Sequence, residues 1–272
     1  MNDSASLSPD QIETYQRPGL RSVTPYLIVL DTAACIDFII QSFGATEILR
    51  IPGPDGSIQH AELTLGNGCL ELSEGNALYP PAPAAIHLYV DNPDATFARA
   101  LAAGATELYP VADQPWGDRW GAVKDPFGNH WNIAKAGWTP GASGMAYIPS
   151  VQAFVHINEA HKMLAFALAV FAAETLGVAW SPTGTILHAT QRIGDATIEI
   201  VEATPEFPAM PASLHVYVPN TDAAYTHALE AGAVSIEKPR TESYGDRAAS
   251  VKDPWGNRWF IATYLPNGQT TH

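Results

Sequence analysis

Asp125-Pro126-Phe127-Gly128-Asn129-His130-Trp131 occurs a second time in this chain, as Asp253-Pro254-Trp255-Gly256-Asn257-Arg258-Trp259, 128 residues later. The same offset, without a gap, relates further positions along the sequence. Chance similarity would drift out of register, so the constant offset indicates a tandem duplication. The polar pairs that it relates are His60 and His188, Glu71 and Glu199, His87 and His215, and Arg119 and Arg247.

The duplication predicts two domains in the 272 residues of the chain. A linker rich in Gly, Pro and Ser separates the copies, and each copy is long enough to bury a core of its own. We expect a flexible tail at 1–19, the first domain at 20–137, the linker at 138–149, the second domain at 150–265 and a C-terminal tail at 266–272.

Composition narrows the range of partners. A formal net charge of −14 without a basic cluster disfavours nucleic acids and acidic phospholipid surfaces. No apolar run approaches the roughly 18 residues of a membrane helix. The N-terminus is polar and lacks the order of a signal or transit peptide. We therefore expect a cytoplasmic protein without nucleic-acid or membrane partners.

Each copy contains a weaker internal repeat. Strand-like alternation at 26–30 precedes helical spacing at 32–43, and three strand candidates follow at 47–51, 58–65 and 69–73. The order then starts again at 86–90, with a second helix that begins at Asn92 or Pro93 and ends near Ala103. The chain therefore predicts four βαβββ units and an α+β fold.

Paired βαβββ units closed by Asp-Pro-x-Gly-Asn-x-Trp resemble the vicinal oxygen chelate superfamily, which includes glyoxalase I, bleomycin-resistance proteins and extradiol dioxygenases. Thr24 to Leu27, His60 to Leu63 and Trp116 to Arg119 are similar to a bacterial glyoxalase-like subgroup. The resemblance implies that two units form an open, cup-shaped mixed sheet with the helices outside. It also implies dimeric relatives, so we expect an intrachain pseudo-dimer, and a homodimer of the whole chain stays open.

Metal enzymes of that family place ligands at four positions of a cup. The resemblance puts Thr24, Glu71, Ala85 and Asn132 at these positions in the first copy, and Gln152, Glu199, Ser213 and Phe260 in the second. Alanine and phenylalanine have no donor atom, so the usual metal site is expected to be degraded. Of the eight, Glu71, Gln152 and Glu199 are suited to bind a metal.

A displaced site is the alternative. Side chains at i and i+2 share one face of a strand, so histidines beside the family positions also face the cup. His60, Glu71 and His87 would converge in the first copy, and His188, Glu199 and His215 in the second. Two imidazoles and a carboxylate suit Zn, Ni, Mn or Fe. Inheritance by duplication would also explain the recurrence of these residues without a metal.

Further residues are candidates for ligand contacts. Arg119 and Arg247 follow a turn, and each either holds an anionic group in the cup or, as we favour, pins the loop at the rim. Trp116 lies at the expected cup mouth, where it would line a pocket or pack in the core.

Two functions of different class remain after these observations. The first is a protein that binds a small metabolite or drug in the cup, as bleomycin-resistance relatives do. The second is an enzyme, an isomerase, lyase or transferase in which Glu71 or Glu199 is the general base, helped by the nearby histidine. With a divalent metal at the displaced His/Glu site, it would be a metal-dependent lyase, isomerase or dioxygenase. Loss of the usual ligands favours binding, whereas retention of Glu and His in both copies favours the enzyme.

Overall fold

A computed structural model describes residues 15–137 and 149–266, and it contains four βαβββ units in chain order. The elements of the first copy are β1 (Val23–Val29), α1 (Thr32–Phe43), β2 (Thr46–Pro52), β3 (Ile58–Leu65), β4 (Gly68–Glu74), β5 (Ala85–Tyr89), α2 (Pro93–Ala102), β6 (Thr106–Asp113), β7 (Arg119–Lys124) and β8 (His130–Lys135). The second copy has β9 (Val151–Ile157), α3 (Ala160–Phe171), β10 (Glu174–Trp180), β11 (Ile186–Ile193), β12 (Ala196–Glu202), β13 (Ser213–Tyr217), α4 (Thr221–Glu230), β14 (Val234–Thr241), β15 (Asp246–Lys252) and β16 (Arg258–Tyr264). The expected α+β class is confirmed.

The strands form two mixed sheets of eight strands, and each sheet combines one unit from each copy. The first sheet has the order β14-β15-β16-β13-β1-β4-β3-β2, and the second has β10-β11-β12-β9-β5-β8-β7-β6. The joins are antiparallel and place Thr24 beside His215 and His87 beside Gln152. The two units of one copy therefore belong to different sheets, which differs from the expectation that they form a cup together.

The hydrophobic cores, in contrast, follow the copies. Helices α1 and α2 pack against each other, as do α3 and α4. The cluster around Ile36, Leu72 and Trp131 consists of first-copy residues except for Val151, and the cluster around Phe166 and Trp259 consists of second-copy residues except for Val23. The two helices of each copy are therefore buried between the strands that this copy contributes to the two sheets. The other face of each sheet combines residues of both copies.

The repeated heptapeptide is a turn built around a buried carboxylate. Asp125 accepts hydrogen bonds from the backbone N–H groups of Phe127 (2.9 Å) and Asn129 (2.8 Å) and from the side chains of Asn129 (2.9 Å) and Trp131 (2.9 Å). Gly128 has φ +95°, a conformation that glycine adopts without strain. Asp253 makes the same four bonds in the second copy. The motif thus orients β8 and β16 through their buried tryptophans.

Part of the predicted N-terminal tail lies against the first sheet. The backbone N–H of Tyr264 donates to the carbonyl of Tyr15 (2.8 Å), and Leu20 packs with Cys69 and Tyr217. Residues 1–14, the predicted linker at 138–148 and the end of the C-terminal tail at 267–272 lie outside the described residues.

Candidate functional site

Two sheet faces carry the polar side chains that the sequence predicts. We name the face of the first sheet that carries Glu71 and His215 the first cup, and the face of the second sheet that carries Glu199 and His87 the second cup. In the first cup, His215 Nδ1 lies 2.9 Å from both carboxylate oxygens of Glu71. In the second, His87 Nδ1 lies 2.6 Å from Oε2 of Glu199. Each pair joins a carboxylate from one copy to an imidazole from the other.

The predicted convergence of three residues within each copy is therefore wrong. His87 lies with Glu199 rather than with Glu71, and His215 lies with Glu71 rather than with Glu199. The physical reason is the sharing of sheets, because β4 and β5 of one copy belong to different sheets. Duplication conserved the residue types and the offset, but the partners come from opposite copies.

The second cup holds one buried carboxylate between two histidines. Glu199 is 4% exposed, and Nε2 of the partly exposed His188 lies 3.4 Å from its Oε2. Burial alone would raise the pKa of Glu199, but His87 and His188 together lower it below its ordinary value. Burial would lower the pKa of His188, and Glu199 outweighs this and raises it. Glu199 is therefore held as an anion by a charge-assisted pair.

His87 is held in this cup by the bond of its Nδ1 to Glu199 and by a stacking contact of its ring. Its ring stacks on Tyr89, with centroids 4.4 Å apart and planes 17° apart. Nε2 of His87 is buried and has no hydrogen-bond partner among the described residues. A buried ring nitrogen without a partner is costly, so this atom is available to a ligand.

Aromatic rings surround the polar centre of the second cup. Phe154 lies 5.8 Å from His87 and 6.2 Å from His188 between ring centroids. The rings then continue outward, and each contacts the next: Phe154 with His156 (4.9 Å), His156 with Phe207 (6.0 Å), Phe207 with Tyr109 (5.2 Å, stacked) and Tyr109 with Trp120 (5.6 Å). Burial lowers the pKa of His156 to about 4, with a contribution from His130, so His156 is neutral at pH 7 and acts as another ring.

The first cup is more acidic than the second. His60 Nε2 lies 3.0 Å from Oε1 of Glu62, and His60 Nδ1 lies 3.1 Å from the hydroxyl of Tyr26. Arg17 donates to the same oxygen of Glu62 from the N-terminal segment. Burial would raise the pKa of Glu62, but His60 and Arg17 lower it. In the second copy Thr190 replaces Glu62, and Phe154 replaces Tyr26.

A second polar group lies across the first cup. The hydroxyl of Tyr79 bonds to Glu237 and lies 2.7 Å from the hydroxyl of Ser250. Phe260 separates the two tyrosines, with ring centroids 4.9 Å from Tyr26 and 5.2 Å from Tyr79. The first cup thus presents carboxylates beside aromatic rings.

The remaining predicted residues lie away from the carboxylate–histidine pairs. Arg119 binds Asp94 through two bonds of 2.7 and 2.6 Å and binds Asp113 at 2.9 Å, which ties β7 to the first turn of α2. Arg247 binds Asp222 in the same way, at 2.8 and 2.7 Å. Both arginines thus bind carboxylates of helices α2 and α4, which favours a structural pin over contact with a ligand in the cup. Trp116 is exposed, and its ring contacts that of Trp120.

The metal that the family implies does not fit the residues present. The sheets bring Thr24, Glu71, Ser213 and Phe260 into the first cup, and Gln152, Glu199, Ala85 and Asn132 into the second. The amide of Gln152 is already bonded to Thr197 and to the carbonyl of Pro149, and both glutamates are bonded to histidines. Within residues 15–137 and 149–266, no group of three or more His, Cys, Asp or Glu is arranged to hold a metal ion.

Sequence reasoning missed several residues of these cups. Aromatic character recurs at offset 128 in Tyr26 and Phe154 and in Tyr79 and Phe207, and this signal could have identified them. Arg17 carries no such signal, because its counterpart falls in the linker, outside the described residues.

Comparison with known proteins places these observations in a family. The family model of the Glyoxalase/Bleomycin resistance protein/Dioxygenase superfamily matches residues 19–133. An uncharacterized protein of Mycobacterium bovis is 42% identical over 125 residues, which cover 42% of this chain and 82% of that protein. An uncharacterized protein of Mycobacterium tuberculosis is also 42% identical over 125 residues, which cover 42% of this chain and 74% of that protein. These relatives are therefore closer in length to one copy than to the tandem.

Glyoxalase I from Zea mays shares the fold over most of the chain. It superposes with a TM-score of 0.66 at 14% identity, and the match covers 88% of this chain and 92% of that one. No helix in the described part of this chain is long and apolar enough to cross a membrane. On the family model, the mycobacterial relatives and the shared fold, the chain belongs to the glyoxalase/bleomycin resistance/dioxygenase superfamily.

Proposed function

We propose that the chain is a small-molecule-binding protein whose second cup takes a flat aromatic ligand with an oxygen acceptor, such as a carbonyl or carboxylate group. The observation that carries this proposal is the continuous series of rings from Phe154 to Trp120 around the Glu199 pair. Aromatic side chains with a few placed polar groups are typical of sites for flat organic ligands. The bacterial, cytoplasmic setting expected from the sequence is part of this proposal.

The polar centre supports the preference for an oxygen acceptor. The carboxylate of Glu199 is already paired with His87 and His188, so it is poorly placed to bind a cationic ligand as well. The partly exposed His188 has a raised pKa, and a protonated imidazole donates a hydrogen bond to a ligand oxygen. The neutral residues Thr190 and Tyr109 stand where the first cup has Glu62 and Glu237, so the second cup lacks these two carboxylates. Asp118, the counterpart of Asp246, remains, and Glu206 lies 3.5 Å from the hydroxyl of Tyr109.

A second candidate function is metal-free proton transfer in the same cup. The unpartnered Nε2 of His87 favours it, because Glu199 on Nδ1 would orient the ring so that Nε2 faces a bound ligand. The sequence suggested Glu199, and Glu71 in the first cup, as general bases. A carboxylate with a lowered pKa is a weak base, so we assign the proton transfer to His87 and a positioning role to Glu199.

The binding proposal is tested with three probes that share one ring system: 2-naphthoic acid, 2-naphthamide and 2-naphthylmethylamine. We expect the acid or the amide to quench tryptophan fluorescence and to bind at least about tenfold more tightly than the amine. Trp120→Ala, which reproduces Ala248 of the first cup, should weaken binding about tenfold. Arg119→Met is the control and should leave affinity unchanged. Equal binding of all three probes, or no effect of Trp120→Ala, would contradict the proposal.

Two further measurements separate the enzymatic alternatives. Exchange of the methyl protons of 2-acetylnaphthalene into D₂O, followed by NMR, should be faster with the wild type than with His87→Gln if the cup transfers protons. Metal analysis of untagged protein beside Glu71→Ala and Glu199→Ala tests the metal-dependent lyase, isomerase or dioxygenase. Stoichiometric metal that one variant loses would overturn metal-free binding.

A further inference from the structure

The first cup is closed by the chain itself. Tyr15–Leu20, which we name the N-terminal strap, crosses the cup face and ends on the cluster of Leu20, Cys69 and Tyr217. Its Arg17 side chain is 27% exposed and bonds to Glu62, which is buried on β3. The strap thus places one guanidinium group among the acids of the cup.

Arg17 balances only part of the negative charge in this cup. Besides Glu62, the face carries Glu71 and Asp246, which are 1% and 2% exposed. Burial would lower the pKa of Arg17, but Glu62, Tyr217 and Glu71 raise it, so the guanidinium lies in the field of several of these groups. Glu62 is hydrogen-bonded to two side chains, those of Arg17 and His60.

An unsatisfied atom points to a ligand rather than to a closed structural network. Asp246 accepts a bond from Tyr217 on Oδ2 (3.1 Å), whereas its buried Oδ1 has no partner in the described part of the chain. The hydroxyl of Thr24, beside His215 on the sheet, is likewise buried without a partner. Buried polar atoms of this kind are normally satisfied by protein, water or ligand.

The aromatic side chains define the rest of the ligand. Tyr26, Phe260 and Tyr79 form a row of rings that begins at His60 and Glu62. A cation beside aromatic faces gains electrostatic attraction in addition to its pairing with a carboxylate. The Glu62 end of the row is therefore suited to a positively charged head, and the flat group attached to it would lie on Tyr26 and Phe260. The other end, at Tyr79, lies near the guanidinium group of Arg258 and is not suited to a cation.

We propose that the first cup is a binding site for an aromatic guanidinium or amidinium compound, and that Arg17 is a tethered stand-in that this ligand displaces from Glu62. The strap then acts as an intramolecular competitor, which lowers the affinity of the cup until the ligand concentration is high enough to release it. The proposal concerns the first cup and does not depend on the ligand of the second.

The test uses phenylguanidinium, with neutral phenylurea as a probe of the same shape, titrated into the full chain by calorimetry. Arg17→Met keeps an apolar stem on the strap and removes the charge. We expect this variant to bind phenylguanidinium about tenfold or more tightly than the wild type, and phenylurea no better. Glu62→Thr, which reproduces Thr190 of the second cup, should abolish the gain when it is added to Arg17→Met.

Hydrogen–deuterium exchange on the wild type gives an answer even if a variant folds poorly. The N–H of Tyr264 is bonded to Tyr15, and that of Leu20 to Arg17, so both report release of the strap. Phenylguanidinium should accelerate exchange of these two amides, and phenylurea should not. Equal affinity of wild type and Arg17→Met, a gain that survives Glu62→Thr, or unchanged exchange at both amides would overturn the proposal.

Discussion

Individual residues that differ between the copies give the two cups their separate character. Thr190 stands where the first cup has Glu62, and Trp120 stands where it has Ala248, so the second cup is less acidic and more aromatic. The carboxylate–histidine pairs are common to both cups. Selectivity should therefore arise from the surroundings of the pair rather than from the pair itself.

His156 is one such residue, and it makes stability depend on pH. Its folded pKa of about 4 lies below the ordinary 6.5 because the ring is buried. Below about pH 6.5 the unfolded chain binds a proton at His156 that the folded chain does not, so stability falls as the pH falls towards about 4. His156→Ile, which reproduces Ile28 of the first cup, removes this loss.

Urea unfolding at pH 7, 6 and 5 measures the effect. Relative to the wild type, the free energy of unfolding of His156→Ile should improve by about 2 kcal/mol between pH 7 and pH 5. His227→Gln, at an exposed position of α4, is the control and should keep the wild-type pH dependence. Parallel curves for His156→Ile and the wild type would show that His156 is not the group responsible.

At the scale of elements, local sequence pattern predicted the helices and strands well. The spacing at 32–43 gave α1 at its observed bounds, and the second helix was expected from Asn92 or Pro93 to about Ala103, where α2 spans Pro93–Ala102. These elements depend on side-chain periodicity and on caps within a few residues, such as Asn92, whose side chain accepts from the N–H of Ala95. The Asp-Pro-x-Gly-Asn-x-Trp turn is local in the same sense.

That turn supports a prediction about stability. Asp125→Ala and Asp253→Ala would each leave a tryptophan Nε1–H and an asparagine side chain buried without their acceptor. We expect each variant to lose about 3 kcal/mol of the free energy of unfolding in urea. Asp94→Ala is the control, because its bond to Arg119 lies on the surface and should contribute far less to stability. Equal losses in all three variants would mean that the turn carries no special role.

At the scale of the whole molecule, the sequence could not show which units share a sheet. The two copies are so similar that pairing β1 with β5 of its own copy, or with β13 of the other, satisfies the same pattern of residues. Sheet pairing over this distance depends on long-range packing that periodicity does not encode. The candidate residues Glu71, Glu199, His87 and His215 do lie in carboxylate–histidine pairs, but each pair joins residues of opposite copies rather than of one copy.

Shared sheets make a prediction about a single copy. Expressed alone, residues 20–137 would lack β13 and β9, so β1 and β5 would expose unpaired edges and Glu71 and His87 would lose their partners. Because β5 is the counterpart of β13, two such fragments can restore both joins by pairing β1 of one with β5 of the other. Light scattering should therefore find a dimer. Its unfolding midpoint in urea should rise with protein concentration, whereas the midpoint of the full chain, whose joins are intramolecular, should stay constant. A fragment that is monomeric and unfolds at one midpoint over a hundredfold range of concentration would contradict this, because its two units would then have to pair within one copy.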